Sequence, residues 1–234
     1  MADSIDYTPT VPAELADRIR RWHERAYQEA KADGRVTRTF TYLGRTIVVP
    51  PEVMPVTPVS HLLGEAVLAE VQPTDRVLDM GTGSGVNAVL AAGTSPRVLA
   101  VDINPHALAA TRANADCNGV ADRIKVRHSD VFSTVDGTFD LIIFDPPFRW
   151  FAPRDLLEAA SADENYRALT TFFRSARRHL APNGRMLVFF GTSGDLGYLQ
   201  QLMARHRFRV TTVGHQALVT DDLQVDYFTY RLST

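Results

Sequence analysis

The sequence predicts a doubly wound α/β fold with a mostly parallel sheet, closed by an antiparallel strand pair and preceded by a helix and a β-hairpin. Two observations carry this. From Asp75 onward, short apolar runs (RVLDM, RVLAV, RIKVRHS, FDLIIF, RMLVFF) are separated by helical segments, the pattern of parallel βαβ units. The tail then changes. FRVTTVGH and QVDYFTYRL are β-patterned on either side of a polar turn at Asp221-Asp222, as an antiparallel pair would be.

Each element has its own warrant. Pro12 to Ala32 reads as a helix: Pro12 suits a first helical position, Val11, Leu15, Ile19, Trp22 and Ala26 share one face, and Gly34 stops it. Its other face mixes Arg18, Arg20, Arg21 and Arg25 with Glu14, Asp17, Glu24 and Glu29, which reads as a solvated surface. RTFTYLGRTIVV alternates around Gly44 and reads as a hairpin, and the proline-studded stretch Pro50 to Pro58 as a connector. Val59 to Glu70 is a short helix; Val86 to Ala92 and Pro105 to Asn118 follow the first two parallel strands. Asp163 to Leu180 reads as one long helix with Tyr166, Leu169, Phe172, Phe173 and Ala176 on its apolar side, and Pro182-Asn183-Gly184 as the turn into RMLVFF. These divisions place an N-terminal extension at 1–57 and the main domain at 58–234.

Composition narrows the function classes. The chain has 234 residues, 45% of them hydrophobic, enough for a real core. Lys+Arg 25 against Asp+Glu 27 gives a net charge of −2, which argues against gripping nucleic acid by bulk charge. The single cysteine, Cys117, excludes an intramolecular disulfide and a Cys-rich metal site, and the seven histidines show no metal-ligand spacing, so no metal is expected. His61, just after the connector, reads as a packing or surface residue or as a border of the acceptor site. The N-terminus lacks the apolar core of a signal peptide and no apolar run approaches ~18–20 residues, so a cytoplasmic protein with no membrane partner is expected.

In an open α/β sheet, ligands bind beyond the carboxyl ends of the strands, and three such ends carry suggestive residues. After RVL comes Asp79-Met80-Gly81-Thr82-Gly83-Ser84-Gly85, whose glycines permit a tight strand-to-helix turn and close backbone approach to a ligand. A plain packing turn is the alternative, and the loop lacks the lysine of a phosphate-binding P-loop. Asp102 ends the next strand, where a carboxylate can accept both hydroxyls of a ribose; capping the following helix is its alternative use. At the third strand end, Asp130 can accept from an exocyclic amine while Ile103 and Val131 sandwich an aromatic base, or Asp130 is a surface turn residue.

The pattern of these three ends resembles the class I, Rossmann-like methyltransferases that use S-adenosyl-L-methionine, whose sheet has seven strands. The spacing acid-x-Gly-x-Gly-x-Gly differs from the dinucleotide Gly-x-Gly-x-x-Gly. The resemblance covers roughly residues 60–232. It implies that Asp79 and the loop Gly81, Thr82, Gly83 and Gly85 hold the methionine end of the cofactor, Asp102 the ribose, and Asp130, with Ile103 and Val131, the adenine.

The strand FDLIIF ends in Asp145-Pro146-Pro147-Phe148 and is expected beside the glycine-loop strand. Methyl transfer needs a nucleophile aligned behind the carbon more than a strong acid or base. An amino group on a planar system is a poor nucleophile. The Asp145 carboxylate and the Pro146 carbonyl would accept its two hydrogens, Phe148 would stack on the plane, and the two prolines would stiffen the corner. The corner resembles the Asn/Asp/Ser-Pro-Pro-aromatic motif of amino-group methyltransferases. DMGTGSG, VDINPHAL and SDVF, with a hairpin and proline-rich connector before them, are most similar to the small-domain, HemK-type protein glutamine methyltransferases. That family has Asn-Pro-Pro-Tyr, and usually a larger N-terminal domain, where this chain has Asp145 and Phe148. An ionised Asp only accepts, which suits an edge with several donors, such as guanine N1–H and its N2 amine.

Transfer to a nitrogen of a protein glutamine, of an RNA base or of a small-molecule amine therefore stays open, as does the oligomeric state. An NAD-dependent oxidoreductase using Asp102, and a binding module that keeps the fold without the chemistry, are the competing readings. The aromatic run Arg149-Trp150-Phe151, with Tyr166, either walls the acceptor pocket or packs.

Overall fold

A computed structural model describes residues 7–33, 36–220 and 223–234. Helix α1 (Ala13–Asp33) leads into the antiparallel hairpin β1 (Arg38–Tyr42) and β2 (Arg45–Val49). After the connector comes α2 (His61–Glu70), followed by β3 (Val77–Met80), α3 (Val86–Ala92), β4 (Val98–Asp102), α4 (Pro105–Cys117) and β5 (Ile124–His128). The chain then returns through β6 (Phe139–Phe144), α5 (Leu156–Ala159), α6 (Arg167–Ala176), β7 (Leu180–Gly191) and α7 (Leu196–Arg205) to β8 (Arg209–Thr220) and β9 (Leu223–Ser233). Gly34 and the Asp221-Asp222 turn lie outside the described residues.

The large sheet has seven strands in the order β5-β4-β3-β6-β7-β9-β8. Every pair from β5 to β7 is parallel, and β9 runs antiparallel to both β7 and β8. The expected fold class holds. Strands β3 and β6 lie at the centre, with Val77, Leu78, Leu141, Ile142 and Ile143 fully buried. Each such side chain contributes about 1.5–3 kcal/mol relative to an exposed one. Continuous apolar runs of this kind are what a strand covered on both faces requires.

The chain order creates a switch point. From β3 the chain winds outward through β4 to β5, then crosses back to β6 on the other side of β3. Right-handed crossovers in opposite directions put α3 and α4 on one face and α6 and α7 on the other. The loops leaving β3 and β6 therefore diverge, opening a crevice at their carboxyl ends. The pairing of Met80 with Phe144 puts Gly81 and Asp145 side by side at its floor.

The small hairpin is bound to the main sheet's helices: Asn114 of α4 accepts from Val48 N and donates to Val48 O, both at 2.8 Å. Asn118 does the same for Thr46, at 3.1 and 2.7 Å.

Three segments differ from the sequence expectation. Helix α6 begins at Arg167, not Asp163, because Asn165 and Tyr166 adopt φ of 52° and 51°. The Asp163 carboxylate instead reaches forward to accept from Ala168 N and Leu169 N, both at 3.0 Å. At its other end α6 gives way to a 3₁₀ turn, Arg177–His179. The Pro182-Asn183-Gly184 turn is an excursion inside β7, where pairing skips from Phe139↔Leu180 to Leu141↔Arg185. Helices α5 and α7 add to the elements read from sequence. Among the described residues, no helix is long and apolar enough to cross a membrane.

Candidate active site

The glycine turn after β3 is built for close approach. Gly81, Gly83 and Gly85 have φ of 67°, 55° and 81°, a region costly for residues with a Cβ. A Cβ on Gly85 would meet the Thr111 backbone at 2.9 Å, so that glycine serves the packing of the loop on α4. Cβ atoms on Gly81 and Gly83 would meet nothing within 4 Å. Those two therefore line open space, as a ligand cradle does.

Asp79 sits beneath this turn, almost fully buried. Its Oδ2 accepts from Thr82 Oγ1 at 2.6 Å and Ala88 N at 3.1 Å, while Oδ1 has no hydrogen bond among the described residues. Thr82 is thus committed to Asp79. Burial, with a further push from the Asp102 carboxylate, raises the Asp79 pKa to about 6. At neutral pH the group is mostly ionised, with one oxygen available to a cation.

Asp102 is tied to the same turn. Its Oδ2 accepts from Gly83 N at 2.9 Å and its Oδ1 from Asn104 N at 2.8 Å. The capping alternative goes to Asn104, whose Oδ1 accepts from His106 N at 2.9 Å at the start of α4. Burial raises the Asp102 pKa. Beside it, Ile103 is 46% exposed, an apolar side chain open at a strand end.

One strand further out, Asp130 forms a two-point ion pair with Arg167, Nη1–Oδ2 at 3.0 Å and Nη2–Oδ1 at 3.2 Å. Val131 is buried at φ 50°, and its carbonyl accepts from Ser129 Oγ. Arg167 has no sequence signal of its own: it is 37 residues from its partner. His61 lies on the surface, its Nδ1 2.8 Å from the Pro58 carbonyl.

The Asp145 corner differs from its neighbours. Its carboxylate is open to solvent at the crevice floor and has no hydrogen bond among the described residues, yet protein encloses it closely. That enclosure, helped by the nearby Asp79 carboxylate, pushes its pKa up to about 7. Tyr42 approaches from the hairpin: its hydroxyl is buried near the Gly64 backbone and feels the Asp145 charge. Phe148 is nearly buried, its ring 5.1 Å from that of Phe190 and 5.6 Å from that of Phe189. The Tyr166 hydroxyl pins the corner, donating to the Phe148 carbonyl and accepting from Asp195 N.

The aromatic run after the corner packs. Trp150 and Tyr166 are buried, and Phe151 lies under Arg20 of α1 at 4.3 Å. Helix α1 is held over this region by His23 Nε2 to Glu158 Oε1 at 2.9 Å and by Trp22 against Arg149. The segment before α1 is clamped to Asp195, which accepts from Tyr7 Oη at 2.9 Å, Thr10 N at 2.7 Å and Thr10 Oγ1. Asp195 also caps α7, accepting from Tyr198 N at 3.0 Å.

Two predictions arise here. Gly194→Ala would drive its Cβ into the Phe148 carbonyl, a backbone atom that cannot swing away. A loss of about 2–3 kcal/mol in urea unfolding is expected, and an unchanged midpoint would show that the turn yields freely. Asp195→Ala removes the cap and the clamp together. It should cost about 2–4 kcal/mol and expose the segment around Thr10 to limited proteolysis. An unaltered digestion pattern would show that Asp195 does not hold it.

Seven strands in this order, with a glycine turn and an acid at the switch point, are the fold of the class I methyltransferases. The chain belongs to the methyltransferase small domain family, whose model matches residues 56–217. A release factor glutamine methyltransferase of Cereibacter sphaeroides is 33% identical over 176 residues, 68% of this chain and 62% of that protein. A ribosomal RNA small subunit methyltransferase C of Vibrio parahaemolyticus is 31% identical over 54% of this chain and 35% of its own length. The chain thus spans less than two thirds of these relatives. Among solved structures, the Thermus thermophilus 16S rRNA N2 G1207 methyltransferase in complex with AdoMet and guanosine superposes with a TM-score of 0.61 at 20% identity, covering 85% of this chain and 50% of that one.

Proposed function

We propose that this protein is an S-adenosyl-L-methionine-dependent N-methyltransferase whose acceptor nitrogen is held at Asp145-Pro146-Pro147-Phe148. The observation that carries the reading is the free Asp145 carboxylate on the crevice floor, one strand from the glycine cradle. The residues fit the cofactor. Open space over Gly81 and Gly83, the unbonded Asp79 Oδ1, the Asp102 carboxylate and the exposed Ile103 are complementary, in that order, to a backbone-contacting chain, an ammonium group, a ribose and an apolar ring face. Asp130 and Val131 would complete the adenine end, with Asp130 sharing its oxygens with Arg167. When bound, the cofactor supplies a methyl group on a cationic sulfur.

The chain's own part is to position the acceptor. Asp145 and the Pro146 carbonyl accept the two hydrogens of an amino or amide group on a planar system, which turns its lone pair toward the cradle. As the nitrogen gains its new bond to carbon it becomes acidic, and the Asp145 carboxylate is placed to take the proton it sheds. Acceptors named for relatives, a glutamine side chain and guanine N2, are both nitrogens of this kind. The test is transfer of radiolabel from S-adenosylmethionine into separate protein, RNA and metabolite fractions. Label in any of them supports the reading. A protein that fails to bind S-adenosylmethionine while binding NADH would refute it.

A further inference from the structure

Arg149, the residue after the corner, is a buried cation without an anion. The residue is 9% exposed, and among the described residues its Nε has no hydrogen-bond partner and no carboxylate lies within ion-pair distance. The guanidinium lies against two rings, its Cζ 4.7 Å from the Trp22 centroid and 5.8 Å from that of Phe148. Ring faces attract a cation but accept none of its five N–H donors in their own plane. Elsewhere the fold treats such a group differently. Arg185, also largely buried, meets Glu70 at 3.0 Å and Asp75 at 2.9 Å.

The position of Arg149 is fixed, because its backbone N donates to Ser161 O at 3.1 Å and its carbonyl accepts from Asp163 N at 2.7 Å. Two further groups share the vicinity: Tyr227 feels the Arg149 charge, and the fully buried Ser193 lies beside Tyr227. Burial pulls the guanidinium pKa down to about 10, so it stays charged at neutral pH. Removing a lone charge from water is costly, and an anionic acceptor in the site would offset that cost. Asp145 does not serve, since no hydrogen bond or ion pair joins it to Arg149 among the described residues.

We propose that Arg149 binds an anionic group of the methyl acceptor, and that the acceptor is a small molecule carrying a carboxylate or phosphate beside its amino nitrogen. The inference rests on the assignment of the acceptor site to the Asp145 corner. A small acceptor is indicated because α1 covers the guanidinium with Trp22, leaving little access for a polymer backbone. Arg149 would then select the substrate and fix its orientation, with Asp145 at one end and the guanidinium at the other.

The experiment is calorimetric titration of the full chain loaded with S-adenosylhomocysteine. The probes are 3- and 4-aminobenzoate, 4-aminophenyl phosphate and, as the neutral control, aniline. At least one anionic probe should bind tenfold or more tightly than aniline, and the two anion types report which source the site prefers. Arg149→Met should abolish the preference and Arg149→Lys keep part of it, with S-adenosylhomocysteine affinity within about twofold of wild type in both. Equal binding of aniline and the anions by the wild-type protein, weak binding of all four included, overturns the proposal without relying on any variant. So does a preference that survives in Arg149→Met. Failure of the wild-type protein to bind S-adenosylhomocysteine would instead strike the methyltransferase reading itself.

Discussion

Asp145→Ala is expected to lower turnover by about a thousandfold while leaving S-adenosylmethionine affinity within about twofold, because the side chain acts on the acceptor alone. Wild-type turnover should also depend on pH in a way that identifies this group. With its pKa pushed up to about 7, Asp145 is protonated below neutrality. It then presents a hydroxyl donor to the acceptor's N–H and can no longer take the departing proton. Activity should therefore rise with pH through an apparent pKa near 7 and level off above it. Asp145→Asn keeps one acceptor oxygen and cannot titrate, so its residual activity should lack that rise. Single-turnover rates from pH 5.5 to 9 test both points. Turnover of the alanine variant within tenfold of wild type, or an Asn variant that keeps the rise, would remove Asp145 from the chemistry.

The parts of this site that were legible in the sequence are those encoded over short distances. The apolar run Leu141–Phe144 ending in Asp145-Pro146 announces a central strand and its exit, and the glycine spacing at 81, 83 and 85 corresponds to three left-handed turn positions. The start of α6 was not legible. The apolar period continues unbroken through Tyr166, but left-handed dihedrals at Asn165 and Tyr166 leave no trace in side-chain polarity. Tyr166 gains from the break, because its hydroxyl reaches the Phe148 carbonyl and Asp195 N instead of following a helical face. Helix α7 was legible in principle. Asp195 is a cap residue, and Leu196, Leu199, Leu202 and Met203 keep helical spacing despite Gly197. The clamp of Tyr7 and Thr10 on Asp195 joins positions more than 180 residues apart, and the Arg149 site lacks a local pattern. Such tertiary pairings follow from topology, which residue spacing alone does not determine.

Asp79→Asn separates stability from function at the cofactor end. Asp79 is 2% exposed and its pKa is raised from 3.8 to about 6, chiefly by burial. The ionised group therefore destabilises the folded chain. The penalty is absent below about pH 4, where the carboxyl is protonated in both states. It grows between pH 4 and 6, and above that it is constant at roughly 3 kcal/mol. An asparagine can keep both native hydrogen bonds by turning its carbonyl toward Thr82 Oγ1 and Ala88 N, which meet a single oxygen in the wild type. Its amide nitrogen then takes the place of Oδ1, which makes no hydrogen bond among the described residues. The cofactor-free variant should melt roughly 6–10 °C above wild type at pH 8 and close to it at pH 4. Its S-adenosylmethionine affinity should fall at least tenfold, since a donor now faces the position assigned to the ammonium group. A variant that is no more stable at pH 8 would mean that water reaches and solvates the Asp79 carboxylate. A stabilised variant with unchanged affinity would place the ammonium elsewhere, and the strain at Asp79 would then have no role in binding to account for it.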